Sequence, residues 1–195
     1  MNIMLARIGS KFVEEHLDFE NMFKTIFHVS KKYSAVFFSE LDITDFDIAR
    51  FEIRLGRNHY PAEIAISYAH RKIYQEFSSA NCEWALILED DACFNPNRDL
   101  INLIKCLETF KAPSVVQLSY SSPPSTQSFR SNEVSRLRTS CSGTQAYFIN
   151  RQAAKIFAES QDPIKDLADW PSTRARVEFY ATKSRFFYTN PSQIS

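Results

Sequence analysis

Trp84, Ala85, Leu86, Ile87 and Leu88 form an unbroken apolar run that stops at three consecutive carboxylates, Glu89, Asp90 and Asp91. Five apolar residues are too few for a helix and predict a buried strand of an α/β sheet, covered on both faces. Upstream the period changes. In residues 62–77, Ala65, Ala69, Ile73 and Phe77 recur every fourth position, flanked by Ile66 and Tyr68, which predicts an amphipathic helix with Pro61 in its first turn. Downstream, Leu100, Leu103, Ile104 and Leu107 predict a helix opened by Asn95-Pro96-Asn97 and running to about Phe110. Residues 114–120 and 146–149 read as strands, and Asn150 is placed to cap a helix that turns Ala153, Ala154 and Phe157 inward.

Weaker patterns fill the gaps. Residues 2–5 suggest a first strand, 12–27 a helix, 34–38 a second short strand, 40–47 a loop or helix start, and 177–188 a last aromatic strand. Residues 121–142 are serine-rich and polar, with Arg130, Arg136 and Arg138 among them. They read as a long mobile loop with room for a short strand, and a loop of that length in a compact domain suggests a lid over substrate. Strands alternating with helices predict an α/β fold with a mixed sheet flanked by helices, in a single domain spanning residues 1–195.

Charge narrows the partners. Lys plus Arg and Asp plus Glu both number 23, so no global basic field points to nucleic acid. No apolar run approaches the roughly 20 residues that span a bilayer, and Glu14 and Glu15 come too early for a signal-peptide pattern. The expectation is a cytoplasmic protein. Cys82, Cys93, Cys106 and Cys141 form no Cys-x-x-Cys pair, and His16, His28, His59 and His70 have no close metal-binding spacing. The three glycines, Gly9, Gly56 and Gly143, build neither Gly-x-Gly-x-x-Gly nor a Walker A loop. A diphosphate bound here would have to be met by a metal and by basic side chains.

The carboxylate run therefore carries the chemistry. Three adjacent negative charges repel, and a fold that keeps them at a strand end, where α/β ligands gather, points to a hard cation such as Mg²⁺ or Mn²⁺. In an extended segment Glu89 and Asp91 would face one ligand while Asp90 turns away. The alternative is a solvated acidic turn.

Several segments, in order, resemble glycosyltransferase family 25, the lipopolysaccharide and lipooligosaccharide glycosyltransferases. Leu86-Ile87-Leu88-Glu89-Asp90-Asp91-Ala92 is similar to the family's hydrophobic strand ending in Glu-Asp-Asp. Ala62-Glu63-Ile64-Ala65, in the helix that reaches His70, resembles a Gly-Glu-Ile-Gly pattern ending in Ser-His. Gly143-Thr144-Gln145-Ala146-Tyr147-Phe148-Ile149 resembles a Gly-x-x-Ala-Tyr segment, and Ile3-Met4-Leu5-Ala6-Arg7 the family's Ile-Asn-Leu-x-Arg strand. Met4, Ala62, Ala65 and Ala69 depart from those patterns.

The resemblance implies a GT-A type, Rossmann-like domain that moves a hexose, galactose or glucose, from a UDP-sugar to a saccharide or lipooligosaccharide acceptor, with inversion, at the inner face of a bacterial membrane. It implies a divalent cation, Mn²⁺ or Mg²⁺, on Glu89 and Asp91, with Arg7, Glu63, His70, Glu89 and Asp90 toward the donor. Arg130, Arg136 or Arg138 would add to the diphosphate clamp. Inversion needs a base for the acceptor hydroxyl, and Asp169, in Asp166-Leu167-Ala168-Asp169-Trp170-Pro171, is the first candidate and Asp166 the second. Trp170 suits stacking on a sugar. Each of these residues also has an ordinary reading: the aspartates as caps or turns, Glu63 as helix-dipole partner, His70 as a satisfied buried histidine, Tyr147 as a core aromatic. Two other functions compete. One is a non-catalytic relative that binds sugar or nucleotide, suggested by the four departures. The other is a metal-dependent phosphohydrolase, disfavoured because Glu89 stands where an aspartate nucleophile would be.

Overall fold

The computed structural model describes residues 1–9, 14–33, 46–120, 126–129, 133–138, 143–168 and 176–189. The apolar run forms the strand β3 (Trp84–Glu89). It pairs in parallel with β1 (Ile3–Ile8), which pairs in parallel with β2 (Phe27–Tyr33). On its other side β3 is antiparallel to β8 (Ala146–Asn150). Beyond β8 come β5 (Ser114–Gln117), β9 (Glu178–Thr182), β7 (Val134–Leu137) and β6 (Thr126–Phe129), giving an eight-stranded mixed sheet in the order β2-β1-β3-β8-β5-β9-β7-β6. A separate antiparallel pair joins β4 (Ala92–Phe94) to β10 (Phe187–Thr189). The mixed α/β architecture is the one the sequence predicts.

The two faces of the sheet follow from strand alternation. Met4, Ala6, Ile8, Ala85, Ile87, Tyr147 and Ile149 point to one face, against α3 (Pro61–Ser79) and α5 (Arg151–Ser160). Ile3, Leu5, Trp84, Leu86, Leu88, Ala146 and Phe148 point to the other, against α1 (Glu14–Met22), α4 (Leu100–Leu107) and the β4/β10 pair. Helix α2 (Ile48–Leu55) belongs to a smaller cluster in which Phe46, Phe51, Ile64 and Ile164 are buried together. That cluster holds the segment after α5 against α2 and α3, through a parallel bridge between Phe46 and Ile164.

Local chemistry sets the helix starts. Asp47, Asp99 and Asn150 accept bonds from the backbone N–H groups of Arg50, Asn102 and Ala153 at 3.1, 2.9 and 3.0 Å. Gly56, at φ 67°, closes α2 in the left-handed conformation that a Cβ disfavours. Cys82, Cys93 and Cys106 are free thiols.

Five expectations change. The first helix ends at Met22 instead of Phe27, because Phe27 opens β2. That strand escapes the sequence pattern because it is the sheet's edge and most of its side chains are exposed; residues 34–38, where a strand was expected, lie outside the described residues. Helix α4 starts at Leu100 because Asn95 turns the chain, its side-chain oxygen accepting from the Asn97 N–H at 3.1 Å, after β4 has already formed. The polar stretch 121–142 carries two paired strands, β6 and β7, and so is not a loop throughout. The aromatic tail divides into β9 and β10.

Candidate active site

The chain leaves β3 at Glu89 and turns back through Asp90 and Asp91 into β4. This turn replaces the extended segment expected from alternation, and it keeps the three carboxylates close enough for Glu89 and Asp90 to repel Asp91. Glu89 keeps the parity of Ala85 and Ile87 and faces α3. There its Oε1 lies 3.2 Å from His70 Nε2 and accepts from the Thr144 hydroxyl at 2.6 Å. His70 is 1% exposed, and its other ring nitrogen, Nδ1, lies 2.7 Å from the Tyr147 hydroxyl, itself 2.7 Å from the hydroxyl of Tyr74. The Tyr147 ring stacks on the imidazole at 5.8 Å and 15°.

Asp90 packs against Gly9 at the end of β1, where there is no room for a Cβ. Asp91 is the most strained electrostatically. Burial, then repulsion from Glu89 and Asp90, pushes its carboxyl up to about 6. Its Oδ1 is buried with no hydrogen-bond partner among the described residues. A buried, orphaned carboxylate oxygen beside two further carboxylates suits a cation. Among the described residues no three His, Cys, Asp or Glu side chains form a ready-made cage. The two observations agree for Mg²⁺-like ions, which commonly take one or two carboxylates and complete their shell with substrate phosphates and water. Glu89 Oε2, which accepts no hydrogen bond among the described residues, and Asp91 Oδ1 are the oxygens that fit such an ion.

The other expected site residues among those described have partners within the fold. Arg7 takes the opposite parity from Glu89 and is buried facing α1, where it pairs with Glu20 at 2.6 Å. Glu63 accepts from the Tyr60 N–H at 2.9 Å at the start of α3 and is bound by Arg57 at 2.5 Å, which holds its carboxyl below the usual range. Both nitrogens of His70 are engaged internally, leaving neither for a donor phosphate. Asp166 is buried in an ion pair with Arg54 on α2. Arg136 lies on β7, four strands from β3 and so about 19 Å away across the sheet, and pairs with Glu178 at 2.8 Å. Asp169, Trp170 and Arg130 lie outside the described residues. The residue before Asp169 is firmly held, because the buried Ala168 N–H donates to Ser67 Oγ at 3.0 Å, one turn of α3 before His70.

Sequence reasoning missed Thr144, Tyr74 and Ser67. Thr144 sits inside the Gly143–Ile149 segment noted above, but its partner is 55 positions away, and nothing local signals the contact. Tyr74 follows His70 by four residues on the same helix face, a spacing that could have suggested a shared environment.

A family model described as glycosyltransferase family 25 (LPS biosynthesis protein) matches residues 6–171. The chain belongs to this family. No curated protein shows significant sequence similarity to it. Among solved structures it is similar to A197 from STIV, at 13% identity and TM-score 0.46 over 94% of this chain and 82% of that one. It is also similar to a glycosyltransferase involved in the glycosylation of the major capsid of PBCV-1, at 13% identity and TM-score 0.40 over 81% of this chain and 65% of that one. As a family 25 member the chain is a glycosyltransferase. Among the described residues no helix is long and apolar enough to cross a membrane.

Proposed function

We propose that this family 25 glycosyltransferase has a GT-A arrangement and transfers a hexose, galactose or glucose, from a UDP-sugar to a saccharide acceptor of lipopolysaccharide or another surface glycan. Transfer proceeds with inversion, at the cytoplasmic side of a membrane that the protein meets peripherally. The observation that carries this reading is the buried Asp91 Oδ1, without a hydrogen-bond partner among the described residues, in the turn that follows Glu89. Held there by Glu89 and Asp91, Mn²⁺ or Mg²⁺ would supply Lewis-acid stabilisation of the departing diphosphate, an effect worth several kcal/mol in comparable reactions.

The chain's own residues do the rest. Asp90, seated on Gly9, lines the approach from the β1 end. Asp169 accepts the proton of the attacking hydroxyl, a role worth roughly 10²–10⁴-fold. The bond between Ala168 and Ser67 ties its neighbour to α3, and the Asp166–Arg54 pair anchors the same segment. The non-catalytic alternative rests on four departures from the family patterns. Of these, Met4 and Ala69 are buried in the main core and Ala65 is buried on α3, while Ala62 is exposed. The buried departures are explained by packing and leave Glu89, Asp90 and Asp91 intact.

The deciding experiment incubates the protein with UDP-galactose, UDP-glucose and related donors and Mn²⁺, and measures UDP release with and without oligosaccharide acceptors. Acceptor-stimulated release that EDTA removes is expected. UDP binding without hydrolysis or transfer from any donor would favour the binding module.

A further inference from the structure

Glu89 sits at the end of a run of three buried or half-buried hydrogen bonds that crosses from helix α3 to strands β8 and β3. A carboxylate oxygen only accepts, and the proton positions follow. His70 Nε2–H donates to Glu89 Oε1, so Nδ1 carries a lone pair and accepts from the Tyr147 hydroxyl, whose oxygen in turn accepts from Tyr74. The reverse tautomer would set a bare nitrogen against a carboxylate. Stacking of Tyr147 on the imidazole fixes the ring plane as well as the proton.

Thr144 adds a second donor to the same oxygen, at 2.6 Å. Both donors meet Oε1 and none among the described residues meets Oε2. The carboxylate is thereby held in one rotamer, with one oxygen tied inward and the other left for a ligand. We infer that Tyr74, Tyr147, His70 and Thr144 are positioning residues whose task is to aim Glu89 Oε2 at the cation–diphosphate complex of the donor. They touch neither donor nor acceptor. The inference rests on the donor site proposed above and adds to it a reason for the buried histidine.

Physically this is the outer shell of a metal ligand, whose loss in comparable sites typically costs about 10–100-fold in metal affinity or activity. Thr144→Val removes the hydroxyl with little change of shape, Thr144→Ser restores it, and Tyr147→Phe cuts the chain between Tyr74 and His70. In the full chain, Mn²⁺ binding in the presence of UDP is read from the electron paramagnetic resonance signal of free Mn²⁺, beside kcat, KM and the melting temperature. Thr144→Val and Tyr147→Phe should each weaken Mn²⁺ binding about 10–100-fold, with Thr144→Ser close to the unaltered protein.

A purely structural role would lower the melting temperature and leave Mn²⁺ affinity alone; that result in either folded variant overturns the inference. If Thr144→Val does not fold, Tyr147→Phe decides. Failure of the unaltered protein to bind Mn²⁺ with UDP would overturn the donor site and this inference together. Normal binding lost in Asp91→Asn but retained in both network variants would overturn the inference alone.

Discussion

A Cβ built on Gly9 would fall 2.2 Å from the carboxyl carbon of Asp90 and 2.4 Å from its Cβ, so the end of β1 and the carboxylate turn meet only because residue 9 has no side chain. The backbone there, at φ 150°, is also one that side-chain-bearing residues rarely adopt. Gly9 thus shapes the carboxylate turn by subtraction.

Gly9→Ala should push Asp90 off its seat. Overpacking of this kind typically costs about 1–3 kcal/mol, so the protein should fold with a lowered melting temperature. UDP-sugar turnover should fall at least tenfold. A variant with normal turnover would show that the position of Asp90 does not matter to the donor.

Asp91 makes the opposite trade. Its folded-state value of about 6 lies above the ordinary 3.8, so the native state holds a proton that the unfolded chain has released. Stability from this group is present at low pH and is lost as pH rises from about 4 through about 6. At neutral pH without metal the ionised carboxylate costs on the order of 2–3 kcal/mol. Asp91→Asn should therefore raise the metal-free melting temperature at pH 7.5, by an amount that shrinks at pH 5, while abolishing metal-dependent turnover. Equal melting temperatures at pH 7.5 would mean that the carboxylate is not strained in the native protein.

In the proposed mechanism Ser67 holds the segment on the acceptor side, apart from donor binding. Ser67→Ala leaves the buried Ala168 N–H without its acceptor, a loss of about 1–3 kcal/mol. Transfer to acceptor should drop by an order of magnitude while UDP affinity stays within twofold; Asp169→Ala should show the same split more strongly. A parallel loss of UDP binding in Ser67→Ala would place this segment on the donor side instead.

Much of the molecule was legible in its sequence. The run from Trp84 to Leu88 announced a central strand because burial on both faces demands apolar residues at both parities. The stripe of Ala65, Ala69, Ile73 and Phe77 announced α3, and the order of elements announced a mixed α/β sheet. The unbroken carboxylates also marked the candidate site, since no packing rule asks for three adjacent charges at the end of a buried strand. Other elements were less legible: β2 at the exposed edge, α2 with Phe51 as its buried residue, and the pair β6 and β7 within a serine-rich stretch that suggested room for one short strand.

Only the tertiary structure decided what each candidate touches. Parity turns Arg7 to α1 and Glu89 to α3, and the turn at Asp90 and Asp91 replaces an alternation that sequence spacing alone would assume. His70 comes from one place in the chain and Thr144 and Tyr147 from another, and the bonds of His70 to Tyr147 and of His70 and Thr144 to Glu89 exist because β8 lies antiparallel beside β3 under α3. Sequence periodicity reports which face of an element is buried. It carries no information about which distant element covers that face, and for this protein that pairing determines which carboxylate oxygen of Glu89 is tied down.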